Sequence, residues 1–304
     1  MTGRLKSWLI HHLPACTVCG SVMTQKMRHY TSGNTVFTGM HIRQCMACGM
    51  AYAAPMPSEQ MLDEYNAGFF DHLSQSRILT QDQKDWLSAV VQLRIEYLLK
   101  STSGQLPEPL RVLEVGPGPG FFPLGLRQRG FQFGYLGVET DVPTREELKQ
   151  LGLDSVGSLE NVSNTFNLCV MSHVLEHVTD PVRFVNQWMR HLEPGGLLFI
   201  EVPCRDYLYK TQNEPHLLFF DCDSMRRLMR TCGLSVLGCD HFGRTLEELK
   251  ANQGRIGASQ QCAWELPLAP WSDEGQRKAV QKFSAHVAQH TQANWVRLVA
   301  RKTA

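Results

Sequence analysis

The sequence predicts an α/β fold, in which a mostly parallel sheet follows a small N-terminal module with four cysteines. Three observations predict it. A buried strand runs into a glycine turn, Val112-Leu-Glu-Val-Gly-Pro-Gly-Pro-Gly120. A second apolar strand runs into a polar string, Ser172-His-Val-Leu-Glu-His-Val-Thr-Asp-Pro181. Two Cys-x-x-Cys-Gly pairs precede both, at 16–20 and 45–49.

Length and composition limit the possible classes of protein. The chain has 304 residues, 43% hydrophobic and 19% charged, which suits one large domain with an appendage or two domains. Its formal net charge of +1 gives no overall basic signal for nucleic acid. The apolar stretch Trp8-Leu-Ile10 is too short for a signal peptide or a membrane span. We therefore expect a cytoplasmic protein without a membrane partner.

The cysteine pairs predict a metal-binding module at residues 1–57. Each pair places two thiolates within reach of one ion, and the glycine that follows lets the backbone turn. Four thiolates favour a closed, structural zinc site, while free thiols and a redox pair are the alternatives. Short strands of a zinc ribbon are predicted between Val22 and Arg43. The predicted zinc ligands are Cys16, Cys19, Cys45 and Cys48.

Residues 58–110 are predicted to form a helical connector. Ser58 can cap a short helix. A longer amphipathic helix is predicted from Gln81 to Lys100, because apolar residues recur there at helical spacing. The segment 101–109 contains Ser, Gly and Pro, which indicates a linker to the sheet.

The glycine turn suits the binding of S-adenosylmethionine. Its glycines let backbone N–H groups at the start of a helix from Phe121 approach a ligand. One residue rather than two precedes the last glycine, so the spacing differs from a dinucleotide fingerprint and favours S-adenosylmethionine over NAD. The residues of this element are Glu114, Gly116, Gly118 and Gly120.

An acid is expected at the end of the second sheet strand, where it accepts both ribose hydroxyls of the cofactor. The predicted strand runs from Phe131 to Val138 and ends at Glu139. This position lies about 20 residues beyond the turn, as in dinucleotide sites. Asp141 is the alternative if the strand runs longer.

The rest of the chain alternates between apolar strands and helices. The remaining predicted strands are 151–156, 167–171, 197–202, 234–240 and 295–301, the last of them antiparallel. Helices are predicted at 181–191 and, capped by Ser224, as far as Thr231. A helical insertion is expected near 245–293, with an amphipathic helix at 278–289.

These motifs resemble those of a known family. The acid and glycines resemble motif I of class I S-adenosylmethionine-dependent methyltransferases, and the string from Ser172 to Pro181 resembles their motif IV. When the two Cys-x-x-Cys-Gly pairs (the knuckles) are included, the order of the motifs along the chain is similar to that in a zinc-containing subgroup related to the deoxysugar C-methyltransferases. The resemblance implies a Rossmann-like, seven-stranded sheet over 111–304. Those enzymes carry a further C-terminal domain, which is not expected here.

The resemblance also implies further cofactor contacts. In the subgroup an aromatic segment covers the cofactor, which makes Tyr65, Phe69 and Phe70 candidates for a lid, with plain core packing as the alternative. The loop after the third strand touches the adenine in the family. The candidate cofactor contacts are Glu114, Gly116, Gly118, Gly120, Glu139, Ser158, Leu159, Ser172, His173, Tyr65 and Phe70.

Histidines are the candidates for catalysis. By resemblance, His216, two residues after Glu214, lies where the family often has a catalytic or acceptor-binding histidine. An ordinary imidazole pKa suits a general base. His173 is the alternative, because it follows a strand at the ligand-binding edge of the sheet. For His177 a structural role is favoured. The predicted catalytic set is His216, His173 and Glu214.

The predicted function is methyl transfer to a small molecule, such as a sugar nucleotide or a natural-product intermediate. The reaction is an SN2 displacement at the sulfonium methyl group, with alignment by the protein and deprotonation by a histidine. Two alternatives are an RNA methyltransferase that binds its substrate through the ribbon and a non-catalytic scaffold. The scattered cations of the ribbon argue against RNA, and the intact glycines and acids argue against a scaffold.

Overall fold

The computed structural model describes residues 15–67, 81–158, 160, 162, 165–243, 245–251 and 294–303. The helices are α1 Glu59–Ala67, α2 Gln81–Ser101, α3 Phe121–Gln128, α4 Val142–Gln150, α5 Pro181–Met189, α6 Cys222–Thr231 and α7 Leu246–Ala251. The strands are β1 Thr24–His29, β2 His41–Cys45, β3 Ala51–Ala54, β4 Leu110–Val115, β5 Phe133–Val138, β6 Ser155–Val156, β7 Phe166–Ser172, β8 Leu192–Pro203, β9 Leu218–Phe219, β10 Leu234–Phe242 and β11 Trp295–Lys302.

The large sheet has seven strands in the order β10-β11-β8-β7-β4-β5-β6. The five neighbouring strands β8, β7, β4, β5 and β6 run parallel to one another. Strand β11 is antiparallel to both of its neighbours. Six of the seven residues of β7 are buried, as expected for a central strand covered on both faces. The predicted α/β methyltransferase sheet, including its antiparallel last strand, is confirmed.

Several boundaries differ from the sequence predictions. The segment Val142–Gln150 forms helix α4, which was not predicted, and the third strand is only Ser155–Val156. Strand β8 begins at Leu192, five residues before the predicted start at Leu197. Asp221, not Ser224, is the N-cap of α6, and the two side chains form a reciprocal capping box.

The small antiparallel sheet has the order β1-β2-β3-β9. Its first three strands belong to the N-terminal module (residues 15–57), but β9 comes from the segment that follows β8 of the large sheet. Buried residues of the module, such as Ile42 and Tyr52, belong to the same hydrophobic cluster as residues of the large sheet, such as Met171. The module is thus joined to the large sheet by backbone pairing and by packing.

The region between α6 and the last strand is described only in part. Of the predicted helical insertion at 245–293, helix α7 is described, and the predicted helix at 278–289 lies outside the described residues. Among the helices of the described part, none combines the length and hydropathy needed to cross a membrane.

Candidate active site

The three glycines after β4 have different surroundings. A Cβ atom at Gly116 would lie 2.9 Å from the side chain of Val174, so this glycine permits close packing. A Cβ at Gly120 would likewise meet leucine side chains at 2.8 Å. Gly118 has a φ of +51°, and its Cβ position has no atom within 4 Å. The backbone at Gly118 therefore faces open space, as a ligand-binding turn requires.

Glu139 lies against this turn. One of its carboxylate oxygens accepts a hydrogen bond from the Gly118 N–H at 3.4 Å, and the other accepts from the Asp141 N–H at 3.0 Å. Burial raises the pKa of Glu139. Asp141, the alternative candidate, is the N-cap of α4 and accepts from the Thr144 N–H at 3.0 Å. Of the two acids, Glu139 has the position expected for a ribose ligand.

Glu114 is buried beneath the turn. Only 3% of this residue is exposed, and its carboxylate accepts a hydrogen bond from the Tyr135 hydroxyl at 2.9 Å. Burial raises the pKa of Glu114 to about 8, so the group is mostly protonated at neutral pH. Its hydrogen bond links β4 to β5.

The other predicted cofactor contacts are dispersed. Tyr65 is buried, and its ring packs edge-on against Phe37 of the N-terminal module at a centroid distance of 5.1 Å. Ser172 ends β7, and its buried hydroxyl has no hydrogen-bond partner within the described residues. Ser158 is half-buried after β6. The roles predicted for these residues stay predictions, and Leu159, Phe69 and Phe70 lie outside the described residues.

His173 stands between two carboxylates at the carboxyl end of β7. It has a positive φ of 57°, its Nδ1 lies 3.3 Å from Glu176 Oε1, and its Nε2 lies 3.4 Å from Glu201 Oε1. Burial alone lowers the pKa of His173, but the two carboxylates outweigh it and raise the pKa to about 9. The imidazole is therefore protonated at neutral pH.

Glu201 links this histidine to two arginines. The carboxylate is fully buried in β8 and accepts from Arg94 Nε at 2.8 Å and from Arg297 Nε. Burial raises the pKa of Glu201, but the guanidinium groups outweigh it and hold the pKa well below its usual range. The guanidinium of Arg297 also lies 4.3 Å from the ring centre of Phe242. The two arginines hold Glu201 in place as one of the two carboxylates beside the His173 imidazolium.

His216 is paired with a carboxylate that sequence reasoning missed. Its Nδ1 lies 2.6 Å from Asp206 Oδ2, and Lys210 Nζ lies 3.0 Å from the same oxygen. His177 lies beside it, with 4.9 Å between the two ring centres. Burial lowers the pKa of His177 to about 4, so this imidazole is neutral. His216 therefore lies beside both Asp206 and His177.

Glu214, a member of the predicted catalytic set, binds the N-terminal module. Its carboxylate accepts from the N–H groups of Gly33 at 2.9 Å and Asn34 at 3.0 Å, and from the Ser32 hydroxyl. The carboxylate that contacts the His216 ring is that of Asp206. Glu214 therefore ties the segment before His216 to the N-terminal module. The catalytic role predicted for Glu214 stays a prediction, and its side chain binds across the fold rather than to the His216 ring.

The four predicted metal ligands converge on one point. The sulfur atoms of Cys16 and Cys48 lie 3.5 Å apart, and those of Cys19 and Cys45 lie 3.6 Å apart. All four lie within 4.8 Å of one another. A tetrahedral ion with metal–sulfur bonds of about 2.3 Å needs sulfur–sulfur distances of about 3.8 Å. The donor set and its dimensions therefore fit a closed site for one zinc ion.

Positive backbone angles and hydrogen bonds support both knuckles. Gly20 and Gly49 have φ angles of +70° and +78°, which favour glycine. Their N–H groups donate to the carbonyl oxygens of Cys16 and Cys45 at 2.8 and 2.9 Å. The predicted function of the glycines as turn residues is confirmed.

Comparisons with known proteins agree with this fold. The family described as "Methyltransferase domain" matches residues 86–238. An uncharacterized methyltransferase of Mycobacterium sp. (strain KMS) is 35% identical over 106 residues, which cover 33% of this chain and 41% of the relative. One from Mycobacterium tuberculosis (strain ATCC 25177 / H37Ra) is 29% identical over 125 residues, which cover 38% of this chain and 47% of the relative. The matches span less than half the length of these relatives.

Solved structures with a similar fold were also found. One is described as a possible histamine N-methyltransferase from Thermotoga maritima, with 18% identity and a TM-score of 0.45, covering 81% of this chain and 97% of that chain. Another is the plantazolicin methyltransferase BamL in complex with a desmethyl analogue and S-adenosylhomocysteine, with 16% identity and a TM-score of 0.49, covering 81% and 99%.

The sheet order and the glycine turn define a class I methyltransferase domain. With about half of the chain matched, the protein belongs to the methyltransferase domain family. The predicted membership of the methyltransferase family is confirmed.

Proposed function

We propose that the protein transfers a methyl group from S-adenosylmethionine to a nucleophilic atom of a small molecule, such as a sugar nucleotide or a natural-product intermediate. The observation that carries the proposal is the contact between Glu139 and Gly118 at the carboxyl ends of the parallel strands, where open α/β sheets bind ligands. The histidines after β7 and β8 lie at the same sheet edge, where an acceptor can meet the cofactor.

The residues of the turn would bind and orient the cofactor. The N–H groups at the start of α3 would donate to a ligand carboxylate, and Glu139 would accept from the ribose hydroxyls. S-adenosylmethionine, when bound, supplies an electrophilic sulfonium methyl group. The protein contributes alignment at this edge, which removes much of the entropic barrier to the displacement.

His216 is the better candidate for the base that takes the acceptor's proton. Asp206 can accept the Nδ1–H of His216, which leaves Nε2 unprotonated and able to accept a proton. The raised pKa of His173 makes it a cation at neutral pH, so it is suited to binding a negatively charged group rather than to removing a proton. Glu214 is assigned to positioning the segment that carries His216.

We also propose that the four cysteines bind zinc and that the N-terminal module serves the small-molecule site rather than RNA. Two of the three cations between its knuckles have partners inside the protein. Arg28 donates to the Tyr207 carbonyl at 2.7 Å, and Arg43 donates to the Thr24 hydroxyl at 3.0 Å. These contacts leave the module without a basic surface built from its arginines, which RNA binding would need.

The proposal is tested by following an isotopic methyl label. The protein is incubated with methyl-labelled S-adenosylmethionine, a panel of sugar nucleotides and a metabolite extract, and the label is measured in separate small-molecule, RNA and protein fractions. Label is expected in the small-molecule fraction. Loss of the base should reduce this label about 100- to 10,000-fold in His216→Ala while S-adenosylhomocysteine still binds.

The matched control is His29→Ala, because His29 is exposed on β1. This variant should label the acceptor at the wild-type rate. Label in the RNA fraction would replace the small-molecule proposal with the RNA alternative. Normal turnover by His216→Ala would remove His216 from the catalytic set.

A further inference from the structure

A carboxylate and two imidazoles outside the cysteine module are close enough to share one ion. Glu176, His177 and His216 each offer a ligand atom, and these atoms all lie within 4.8 Å of one another. Glu176 Oε1 and His177 Nε2 are 3.7 Å apart. Two ligands on one ion, each about 2.0–2.2 Å from it, lie about 3–4 Å apart. The three groups therefore fit one ion after small side-chain movements.

The burial of the Glu176 carboxylate is a second, independent indication that a cation binds here. This residue is only 1% exposed, and neither carboxylate oxygen has a hydrogen-bond partner within the described residues. A buried carboxylate without hydrogen bonds carries a large desolvation cost, which a cation bound directly to its oxygens offsets. His173 contributes an ion pair at 3.3 Å but no aligned hydrogen bond.

The surroundings of His216 match those of a metal-bound histidine. Ligating histidines usually donate the other ring N–H to a carboxylate, and Asp206 lies 2.6 Å from Nδ1 of His216. The backbone holds the two parts of the cluster together, because the N–H of Leu217 donates to the carbonyl of Glu176 at 2.8 Å. The short 3₁₀ turn Leu175–His177 and the segment before β9 are thereby held in register.

We propose that Glu176, His177 and His216 bind one divalent first-row transition-metal ion, at a site separate from the four cysteines. Two imidazoles and one carboxylate suit ions such as Zn²⁺, Mn²⁺ or Fe²⁺ and leave coordination positions open. A hydroxyl oxygen of the acceptor bound at an open position would release its proton to water more readily, and the resulting alkoxide would attack the sulfonium methyl group and displace the thioether. His216 then serves as a ligand, and the ion replaces it in activating the acceptor. This last step rests on the proposed function, whereas the binding of the ion does not.

The test uses the full chain with its cysteine site loaded with zinc. Mn²⁺ is the probe, because it prefers oxygen and nitrogen ligands to the thiolates of the cysteine site. Titration followed by electron paramagnetic resonance is expected to show one bound Mn²⁺ per chain. Glu176→Gln and His177→Gln, which preserve side-chain size, should each weaken binding at least about tenfold, as expected when one of few ligands is lost.

Two further variants sharpen the test. Asp206→Asn leaves the three ligands in place but removes the charge behind His216, so it should weaken Mn²⁺ binding about 10- to 100-fold. His29→Gln removes an exposed histidine from β1 and should bind Mn²⁺ like the wild type. A wild-type circular dichroism spectrum and a cooperative thermal unfolding transition establish that each variant is folded.

The proposal is overturned if the zinc-loaded wild type binds no Mn²⁺, or if Glu176→Gln binds it as tightly as the wild type. Failure of the proposed function has a different signature. In that case Mn²⁺ still binds and responds to the variants, but the protein fails to bind S-adenosylhomocysteine or to label a small molecule.

Discussion

At the scale of single residues, two neighbouring acids after β5 have separate functions. Glu139 faces Gly118, and Asp141 caps helix α4. Replacing Glu139 with Ala should weaken binding of S-adenosylhomocysteine, because each ribose hydroxyl left without an acceptor costs about 1–3 kcal/mol. Calorimetry on the purified variant measures the change.

The matched control is Asp141→Ala. Loss of the cap should lower the free energy of unfolding by about 0.5–2 kcal/mol and leave the affinity for S-adenosylhomocysteine unchanged. If instead Asp141→Ala loses affinity and Glu139→Ala keeps it, the ribose ligand is Asp141.

Glu114 predicts a pH dependence of stability. Its pKa is raised from an ordinary 4.5 to about 8 by burial, so between these values the folded protein keeps a proton that the unfolded chain has lost. The stability of the cofactor-free protein therefore falls as pH rises through this range, by at most about 1.4 kcal/mol per pH unit. Below pH 4.5 both states are protonated and the effect vanishes.

The variant Glu114→Gln isolates this effect, because its amide oxygen can still accept from Tyr135 but cannot ionise. Urea unfolding at a series of pH values should show the variant gaining stability over the wild type between pH 4.5 and 8, with a constant difference above that. Arg94 lowers the Glu114 pKa and Glu139 raises it, so both are left unchanged. A difference independent of pH would mean that Glu114 ionises normally.

At the scale of elements, the segment between β8 and α6 depends on the N-terminal module. Asn213 and Thr31 exchange hydrogen bonds at 2.8 and 2.9 Å, and the Tyr30 hydroxyl donates to the His216 carbonyl at 2.9 Å. Glu214 adds three contacts to the same joint. The conformation around His216 is therefore set largely by residues about 180 positions away in sequence.

Glu214→Ala should loosen this joint without affecting the cofactor turn. We expect a loss of about 1 kcal/mol in the free energy of unfolding, since a partly exposed set of donors loses its acceptor. Amide hydrogen exchange at residues 213–219 should become faster, and the affinity for S-adenosylhomocysteine should stay the same. Mass spectrometry after exchange measures the first effect.

Glu59→Ala is the control for that experiment, because Glu59 forms an exposed ion pair with Arg183 at 2.8 Å. Such pairs contribute little, so stability should change by less than about 1 kcal/mol and exchange at 213–219 should not change. Equal exchange in Glu214→Ala and wild type would show that the backbone pairing holds the segment unaided.

Local sequence patterns predicted the elements where one signal dominated. Largely apolar runs marked β4 and β7, because a parallel strand covered on both faces needs them, and the antiparallel β11 carries a similar run. Helix α4 was missed, since Thr144 and Leu148 are its only buried residues and give weak periodicity. Asp221 and Ser224 are both capping residues three positions apart, and only the observed backbone geometry shows which is the N-cap.

The sequence predicted the local motifs of the candidate site, but not the contacts between residues that are far apart in the chain. The turn, Glu139 and the cysteines follow from spacing within short segments. Glu201 meets Arg94 and Arg297 across separations of 107 and 96 residues, which no local pattern encodes. Asp206 lies ten residues before His216, and only the intervening fold brings the two together.

At the scale of the whole molecule, the N-terminal module with its four cysteines is connected to the candidate active site through the small sheet. Its last strand, β9, directly follows the segment that carries His216. We expect about one zinc ion per chain after purification without added metal, because the four sulfurs fit one tetrahedral ion. Cys45→Ser should lower the zinc content and speed amide exchange in β9, since β3 and β9 share backbone pairing. Elemental analysis and hydrogen exchange measure the two effects.

Cys232→Ser is the control, because this cysteine lies outside the four-cysteine cluster. It should keep the zinc and the slow exchange of β9. A wild-type protein that is folded, free of metal and carries four reactive thiols in the N-terminal module would contradict the expectation.

The pairing of β9 with β3 also affects which substitutions the fold can tolerate. Residues Ala51 and Tyr52 pair with Phe219 and Leu218 through main-chain groups, which every residue except proline can supply. Side chains of β9 can therefore be exchanged while its pairing with β3 persists, whereas the rest of the joint needs the side chains of Asn213 and Glu214.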